Sequence, residues 1–327
     1  MRRGRFLLLT AALLGGFAFS GLAGVKVTLG EPYVLQLRFN VTAVNRGQAA
    51  RNVEINLPVL VERDLPVYQR IIEGGAYTGT ARFTLGSRGE AVFSLDQLNA
   101  LGRVELNLAY RCEVRPISHR LPVLPRRSWP ALPEAAAKYL GPAEGIEADQ
   151  REIIEFARSK LGGRKDPVFQ AKALYAATNL ALNYNAEAGK TSALEALRRG
   201  RASCEGFARL FAALCRATGI PARLVYGLRL KQNESPAREY LADAARHVWC
   251  EVYLSGVGWV PVDPTFSYTV GGMRKVTYDY FGRLGYDGDV HVVIGYVEPK
   301  IAWTFRVPQG HPGLSVEQHL YVQPIDG

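Results

Sequence analysis

Hydrophobic spacing changes character along the chain. In residues 25–120 apolar positions recur with period two. Tyr33, Leu35, Leu37, Phe39, Val41 and Ala43 alternate with Gln36, Arg38, Asn40 and Thr42, the pattern of a half-buried strand. Val34 and Val44 break the alternation only at its ends, where a strand end or bulge belongs. Further β-like runs fall at 25–29, 53–57, 80–85, 91–95 and 104–114, punctuated by Gly, Asn, Asp and Pro, and this rhythm predicts an antiparallel β-sandwich domain over 25–120. Pro116, Pro122, Pro125, Pro130 and Pro133 deny ladder hydrogen bonds and place a linker at 121–135.

Helical spacing then takes over. Residues 149–161 form one segment, stopped by Gly162 and Gly163. Asp166 caps the next, with Pro167 at its first position, and it runs to about Leu182. Ser192 with Glu195 three residues later is a capping box opening a helix to Arg199. In residues 202–223, Phe207, Leu210, Phe211, Leu214 and Cys215 make one apolar stripe. That helix starts after a Ser203 N-cap and stops at Gly219, Ile220 and Pro221. Strands follow at 222–231, 246–254, 259–263, 291–297, 300–307 and 320–322, with a polar surface loop at 232–245. The fold class is therefore α+β, with a second domain over 136–327.

Composition adds less. At 327 residues two domains are expected, and an apolar fraction of 48% supplies an ordinary core. Arg2, Arg3 and Arg5 precede the apolar run 6–14 and then small residues, which reads as a secretory signal peptide over 1–20, cut before Gly21 or after Ala23. An uncleaved anchor is the rival reading. No later stretch is long and apolar enough to span a membrane. The expected location is secreted or periplasmic, in the cell envelope. The net charge of +10 is scattered and forms no basic patch interleaved with aromatics, so nucleic acid is not the expected partner. A basic solvated surface near anionic envelope polymers fits better. Four cysteines are too few for a disulfide scaffold, although a Cys215–Cys250 bridge stays open. No ligand spacing for a structural zinc occurs, and no metal or cofactor is expected.

The chemistry centres on Cys204, in the first turn of the striped helix. The partial positive charge of a helix N-terminus favours a thiolate there. A thiolate nucleophile needs a base and a group to orient it. In residues 246–254 period two puts His247, Trp249, Glu251 and Tyr253 on one face and Val248, Cys250, Val252 and Leu254 on the other. The apolar face belongs to the core; the polar one is expected to face a cleft or solvent. Trp249 walls that cleft or packs, and Glu251 is solvated or salt-bridged. Asp263 ends the following strand. If the loop is only Gly256 and Val257, Asp263 falls opposite Cys250, on the wrong face for His247. If it is Ser255, Gly256 and Val257, Leu254 pairs with Gly258 and Asp263 falls opposite Trp249, a diagonal step of roughly 7–8 Å from His247. A Cys204–His247–Asp263 site thus requires the three-residue loop or an equivalent bulge, with Gly258 suited to a left-handed position. Cysteine would attack an amide carbonyl, histidine shuttle the proton, and aspartate hold the tautomer. The backbone N–H of Cys204 is one candidate oxyanion donor; a second is not identifiable. His119, His291, His311 and His319 sit in no recognisable motif. Asn40-Val-Thr42 and Asn233-Glu-Ser235 are glycosylation sequons only in a eukaryotic source.

Cys-x-Gly-Phe-Ala from Cys204, Gly-Ile-Pro-Ala-Arg over 219–223, His-x-Trp-x-Glu-Val-Tyr over 247–253 and Gly-Trp-Val-Pro-Val-Asp-Pro-Thr over 258–265 together resemble the bacterial transglutaminase-like superfamily. The resemblance covers about residues 165–266, with its blocks in family order. It implies a papain-like fold, a cysteine on a helix packed against a sheet carrying histidine and aspartate, and Cys204, His247 and Asp263 at the triad positions. Many members carry an N-terminal β-domain. Ala202 stands where the family commonly has glycine, a departure in loop geometry. The implied activity is that of an exported cysteine-dependent hydrolase or acyl-transferase working on peptide or side-chain amides through a thioester, protease or amidase before cross-linker. Its expected partner is a protein or peptide substrate. The alternative is a non-catalytic envelope binding or scaffold protein that keeps the fold.

Overall fold

A computed structural model describes residues 3–4, 25–57, 60, 65–85, 91–121, 128–231, 238–285, 288–296, 305–306 and 313–325. Of the expected signal segment only Arg3–Gly4 is described, as a two-residue strand against Tyr77 and Thr78; the rest lies outside the described residues. No helix among the described residues is long and apolar enough to cross a membrane.

The period-two stretch forms two facing antiparallel sheets, and its end strands Lys26–Leu29 and Ile117–Arg120 pair in a third with Arg283–Leu284. Strand Tyr33–Asn45 lies between Arg103–Val114 and Leu314–Pro324, paired along nearly its whole length with each. A second sheet joins Ala50–Leu57, Ala91–Leu98, Arg82–Leu85 and the short Phe305–Arg306. Leu35, Leu37, Phe39 and Val41 from the first sheet share one core with Val53, Ile55 and Phe93 from the second. The alternation thus translates directly into a sandwich, each inward side chain meeting the facing sheet.

Two features depart from expectation. Gln69–Thr78 is a strand on the sheet, although no run was expected there. It carries two glycines, Gly75 has φ 73°, and its pairing slips between Ile71 and Glu73 and again between Glu73 and Ala76. Such bulges destroy the period that sequence reading relies on. The second concerns the expected division at 121–135. Strand Leu314–Pro324 belongs to the N-terminal sheet, not to the sheet of the second unit. Its register runs from Leu314 beside Asn45 to Pro324 beside Leu35, so the chain's last described strand completes the first sheet. The unit expected over 136–327 therefore loses this segment. Residues 122–127 of the expected linker lie outside the described ones. Just after them, Trp129 donates its indole N–H to Asp166 at 3.0 Å, tying that stretch to the helical layer.

The second unit packs helices on one antiparallel sheet, ordered Gly258–Val262, Arg246–Leu254, Ala222–Lys231, Asp289–Tyr296. Helices Arg151–Leu161, Pro167–Ala181, Ala193–Arg199 and Cys204–Ala217 follow the expected starts and stops. Asp166 accepts from the N–H groups of Val168 and Phe169, and Ser192 from that of Glu195. The stripe Phe207, Phe211, Leu214 and Cys215 buries against Leu224, Val248, Cys250 and Val252. All four cysteines are free; Cys250 donates its thiol to the Ala208 carbonyl at 3.1 Å.

Candidate active site

The loop after Arg246–Leu254 sets the register. Leu254 pairs with Gly258 and Cys250 with Val262, so Ser255, Gly256 and Val257 form the three-residue loop. Gly256 and Gly258 adopt φ 75° and 99°, which a β-carbon would disfavour. Asp263, the next residue after Val262, therefore falls on the side of His247. His247 Nε2 and Asp263 Oδ2 are 2.5 Å apart.

Asp263 is fully buried and tied at several points. Its Oδ1 accepts the Thr265 N–H at 3.0 Å, and its own N–H donates to the Tyr280 carbonyl. Asn179, buried on helix Pro167–Ala181, donates its amide to the carbonyls of Pro264 and Phe266, fastening the turn that follows the carboxylate. That residue was not singled out by sequence; an asparagine inside a helix carries no local sign of a partner 85 positions away.

Cys204 is the first residue of its helix and is half-buried. Ser203 stands at the N-cap, but its hydroxyl donates to the Gly189 carbonyl at 2.9 Å and does not cap the first-turn N–H groups. Gly206 allows the close approach of helix to loop: a β-carbon there would lie 2.4 Å from Thr191 Oγ1 and 2.5 Å from Ala202 Cβ. Cys204 lies close enough to the His247 ring to help raise its pKa. The three expected site residues are thus brought together.

The polar face of Arg246–Leu254 is not open as expected. Trp249 is 0% and Glu251 1% exposed, because Tyr68, Ile117 and Leu284 close over that face. Glu251 forms a buried pair with Arg223, hydrogen-bonded at 2.8 and 2.6 Å, and accepts from Tyr68. The Arg223 guanidinium lies between Trp259 and Tyr296, 4.1 and 3.8 Å from their ring centres. The sequence pattern marked these groups as polar but could not see the N-terminal unit that covers them. His247 itself is 8% exposed, stacked near Trp249 and Phe266.

Burial alone would lower the His247 pKa. The Asp263 charge and hydrogen bond, together with Cys204, outweigh it and push the value up to about 10. Burial would raise that of Asp263, and the His247 and His291 rings hold it well below the usual carboxylate range instead. The ring is therefore disposed to be an imidazolium beside the sulfur.

His291, given no role by sequence, also enters this site. With His247 and Asp263 it offers three ligand atoms within 4.8 Å of one another. A tetrahedral zinc keeps its ligand atoms roughly 3.3 Å apart, given bonds near 2.0–2.1 Å. The 2.5 Å contact between His247 and Asp263 is a hydrogen-bond distance, so the trio fits a proton network better than a metal.

An α+β fold with a helix-borne cysteine facing a sheet-borne histidine and aspartate defines a papain-like arrangement. Residues 154–264 match the family model of the transglutaminase-like superfamily. An uncharacterized protein of Haemophilus influenzae is 37% identical over 87 residues, 23% of this chain; the chain covers 23% of that relative's length. A proposed cysteine protease from Cytophaga hutchinsonii shares the fold, with a TM-score of 0.59 at 15% identity, covering 92% of this chain and 94% of that one. Residues 154–264 thus carry a transglutaminase-like domain.

Proposed function

We propose that the chain is a cysteine-dependent hydrolase or acyl-transferase acting on peptide or side-chain amides, with Cys204 as nucleophile, His247 as acid and base, and Asp263 as orienter. The observation that carries this reading is the 2.5 Å contact of His247 Nε2 with the buried Asp263 carboxylate, on a ring whose pKa the neighbouring Cys204 also raises. With Nε2–H donated to Asp263, Nδ1 is the nitrogen left to exchange a proton with sulfur.

The thiolate attacks the amide carbonyl carbon, forming a C–S bond while the carbonyl electrons move onto oxygen. First-turn N–H groups, left uncapped by the Ser203 side chain, are the donors available to stabilise that charge. The tetrahedral species collapses, the C–N bond breaks, and imidazolium protonates the leaving amine. A thioester remains. Water or an amine, deprotonated by His247, then attacks it and expels the thiolate. The first half is common to hydrolysis and transfer. The half-buried sulfur suits an extended peptide or an exposed side-chain amide, and hydrolysis is the outcome favoured here because water needs no second binding site.

Thiol reactivity tests the proposal without a known substrate. Iodoacetamide should label Cys204 rapidly near neutral pH, and His247→Ala should slow that labelling at least tenfold. Labelling no faster than that of the urea-unfolded chain would favour the scaffold reading. Casein, cell-wall peptides and small amines are the substrates to screen next.

A further inference from the structure

We propose that His291 is a positioning residue of this site, donating a ring N–H to the Asp263 oxygen that also meets His247 and so fixing the carboxylate in the orientation that holds His247. The inference rests on the Cys204–His247–Asp263 reading above.

The geometry comes from two strands away. His291 lies on Asp289–Tyr296, which is separated from the His247 strand by Ala222–Lys231. It can reach across because Gly227, beside His247 in the register, has no side chain. A β-carbon at Gly227 would lie 2.0 Å from the Val292 carbonyl oxygen and 2.6 Å from the Trp249 ring. Trp249 and His291 meet edge to face in this space, with ring centres 5.3 Å apart. His291 Nε2 then faces Asp263 Oδ2 at 3.8 Å, the oxygen that already accepts from His247.

Neither ring nitrogen of His291 has a hydrogen-bond partner among the described residues, and the side chain is 1% exposed. A buried donor without a partner is unfavourable, and Asp263 is the anionic acceptor beside it. The separation exceeds a hydrogen bond by under 1 Å, so a small ring rotation closes it. Asp263 then has Oδ1 on Thr265 N–H and Oδ2 shared by two imidazoles, fixed by groups from separate elements.

The charged neighbours explain why this donor does not compete with His247. Burial lowers the His291 pKa, Asp263 opposes that, and the His247 and Arg229 charges lower it further. His291 stays neutral, offers one N–H, and leaves the positive charge on His247. A sequence reader sees only a lone histidine in an apolar strand.

The test compares His291→Phe, which keeps a ring but removes the donor, with His291→Gln, which restores an N–H. Iodoacetamide labelling of Cys204 in the full chain is followed by mass spectrometry from pH 5 to 9. His291→Phe should slow labelling fivefold or more at pH 6, with the deficit shrinking toward pH 9; His291→Gln should stay within twofold of wild type. A folded His291→Phe protein that labels at the wild-type rate throughout overturns the inference and leaves the triad standing. Wild-type labelling no faster than in 8 M urea instead sinks the triad reading itself. Should His291→Phe not fold, the imidazole nitrogen NMR spectrum of the wild type decides. A neutral Nε2–H tautomer whose signal moves in Asp263→Asn supports the role; an Nδ1–H tautomer, or no response, refutes it.

Discussion

Asp263→Asn isolates the charge on which the site depends. The substitution keeps shape, and its Oδ1 can still accept from Thr265 N–H, held at 3.0 Å in the native protein. What disappears is the negative charge 2.5 Å from His247 Nε2. Two unit charges about 4 Å apart, taken between group centres, interact by about 4 kcal/mol at an effective dielectric of 20. At about 1.4 kcal/mol per pKa unit that is roughly three units. The charge is thus a large part of what carries the ring to about 10 against its burial, the hydrogen bond to Asp263 and the neighbouring Cys204 supplying the rest. Without the charge, burial dominates and His247 becomes neutral at physiological pH. The assay is Cys204 alkylation by iodoacetamide as a function of pH. Wild type should label fast from pH 6 to 8, where the ring beside the sulfur is charged. Asp263→Asn should lose at least tenfold at pH 6 and then climb steeply with pH. If the variant keeps the fast wild-type profile, Asp263 does not hold the imidazolium and the electrostatic account is wrong.

The same pair predicts a stability signature. His247 is raised in the folded state, so its contribution is fully present below about pH 6.5 and is lost as pH rises through about 10. The urea-midpoint difference between wild type and Asp263→Asn should therefore shrink between pH 7 and pH 10. Glu251→Ala strips the partner from Arg223, whose side chain is 15% exposed, and breaking such a pair costs about 3–5 kcal/mol by urea denaturation. Adding Arg223→Met should recover part of that loss. Gly227→Ala forces a β-carbon against the Val292 carbonyl, and its overpacking should cost about 3 kcal/mol or more, read in thermal melts. Deleting residues 313–327 removes the strand paired along Tyr33–Asn45, so near-UV circular dichroism should show loss of native packing.

Local rules carried the sequence reading far where neighbours in space are neighbours in chain. Caps at Asp166 and Ser192 and the stop after Ala217 each depend on a few consecutive residues and stand as read, and the loop at 255–257 is the longer of the two alternatives the sequence left open. The meeting of His247 with Asp263 was legible for a related reason, and so was the place of Cys204 at a helix start. The helix start and the hairpin register fix their directions once the strands are placed. Asn179, Gly227 and His291 were not legible. Asn179 meets the Asp263 turn across the fold, and His291 meets Asp263 only because a glycine on the intervening strand leaves room. Alternation also misjudged the open face. It turned the face of Trp249 and Glu251 toward a cleft or solvent, whereas Tyr68 and Ile117 cover that face.

That covering bears on what the N-terminal sheets do. Gln69 accepts the Val293 N–H through Oε1 at 2.6 Å and donates Nε2 to the Val293 carbonyl at 2.8 Å, a two-bond clasp on the strand that carries His291. Tyr68, one residue earlier, reaches Glu251 on the strand that carries His247. Adjacent residues of the N-terminal unit thus hold both histidine strands from the side away from the helices. Gln69→Ala should leave buried Val293 groups unpaired, lower the unfolding midpoint and loosen His291 before His247. The local order can be read by amide hydrogen exchange, faster at Val292 and Val293 than at Val248. Equal protection at both strands, or unchanged exchange at Val293, would show that the sandwich merely abuts the sheet carrying His247 and His291 and does not brace it.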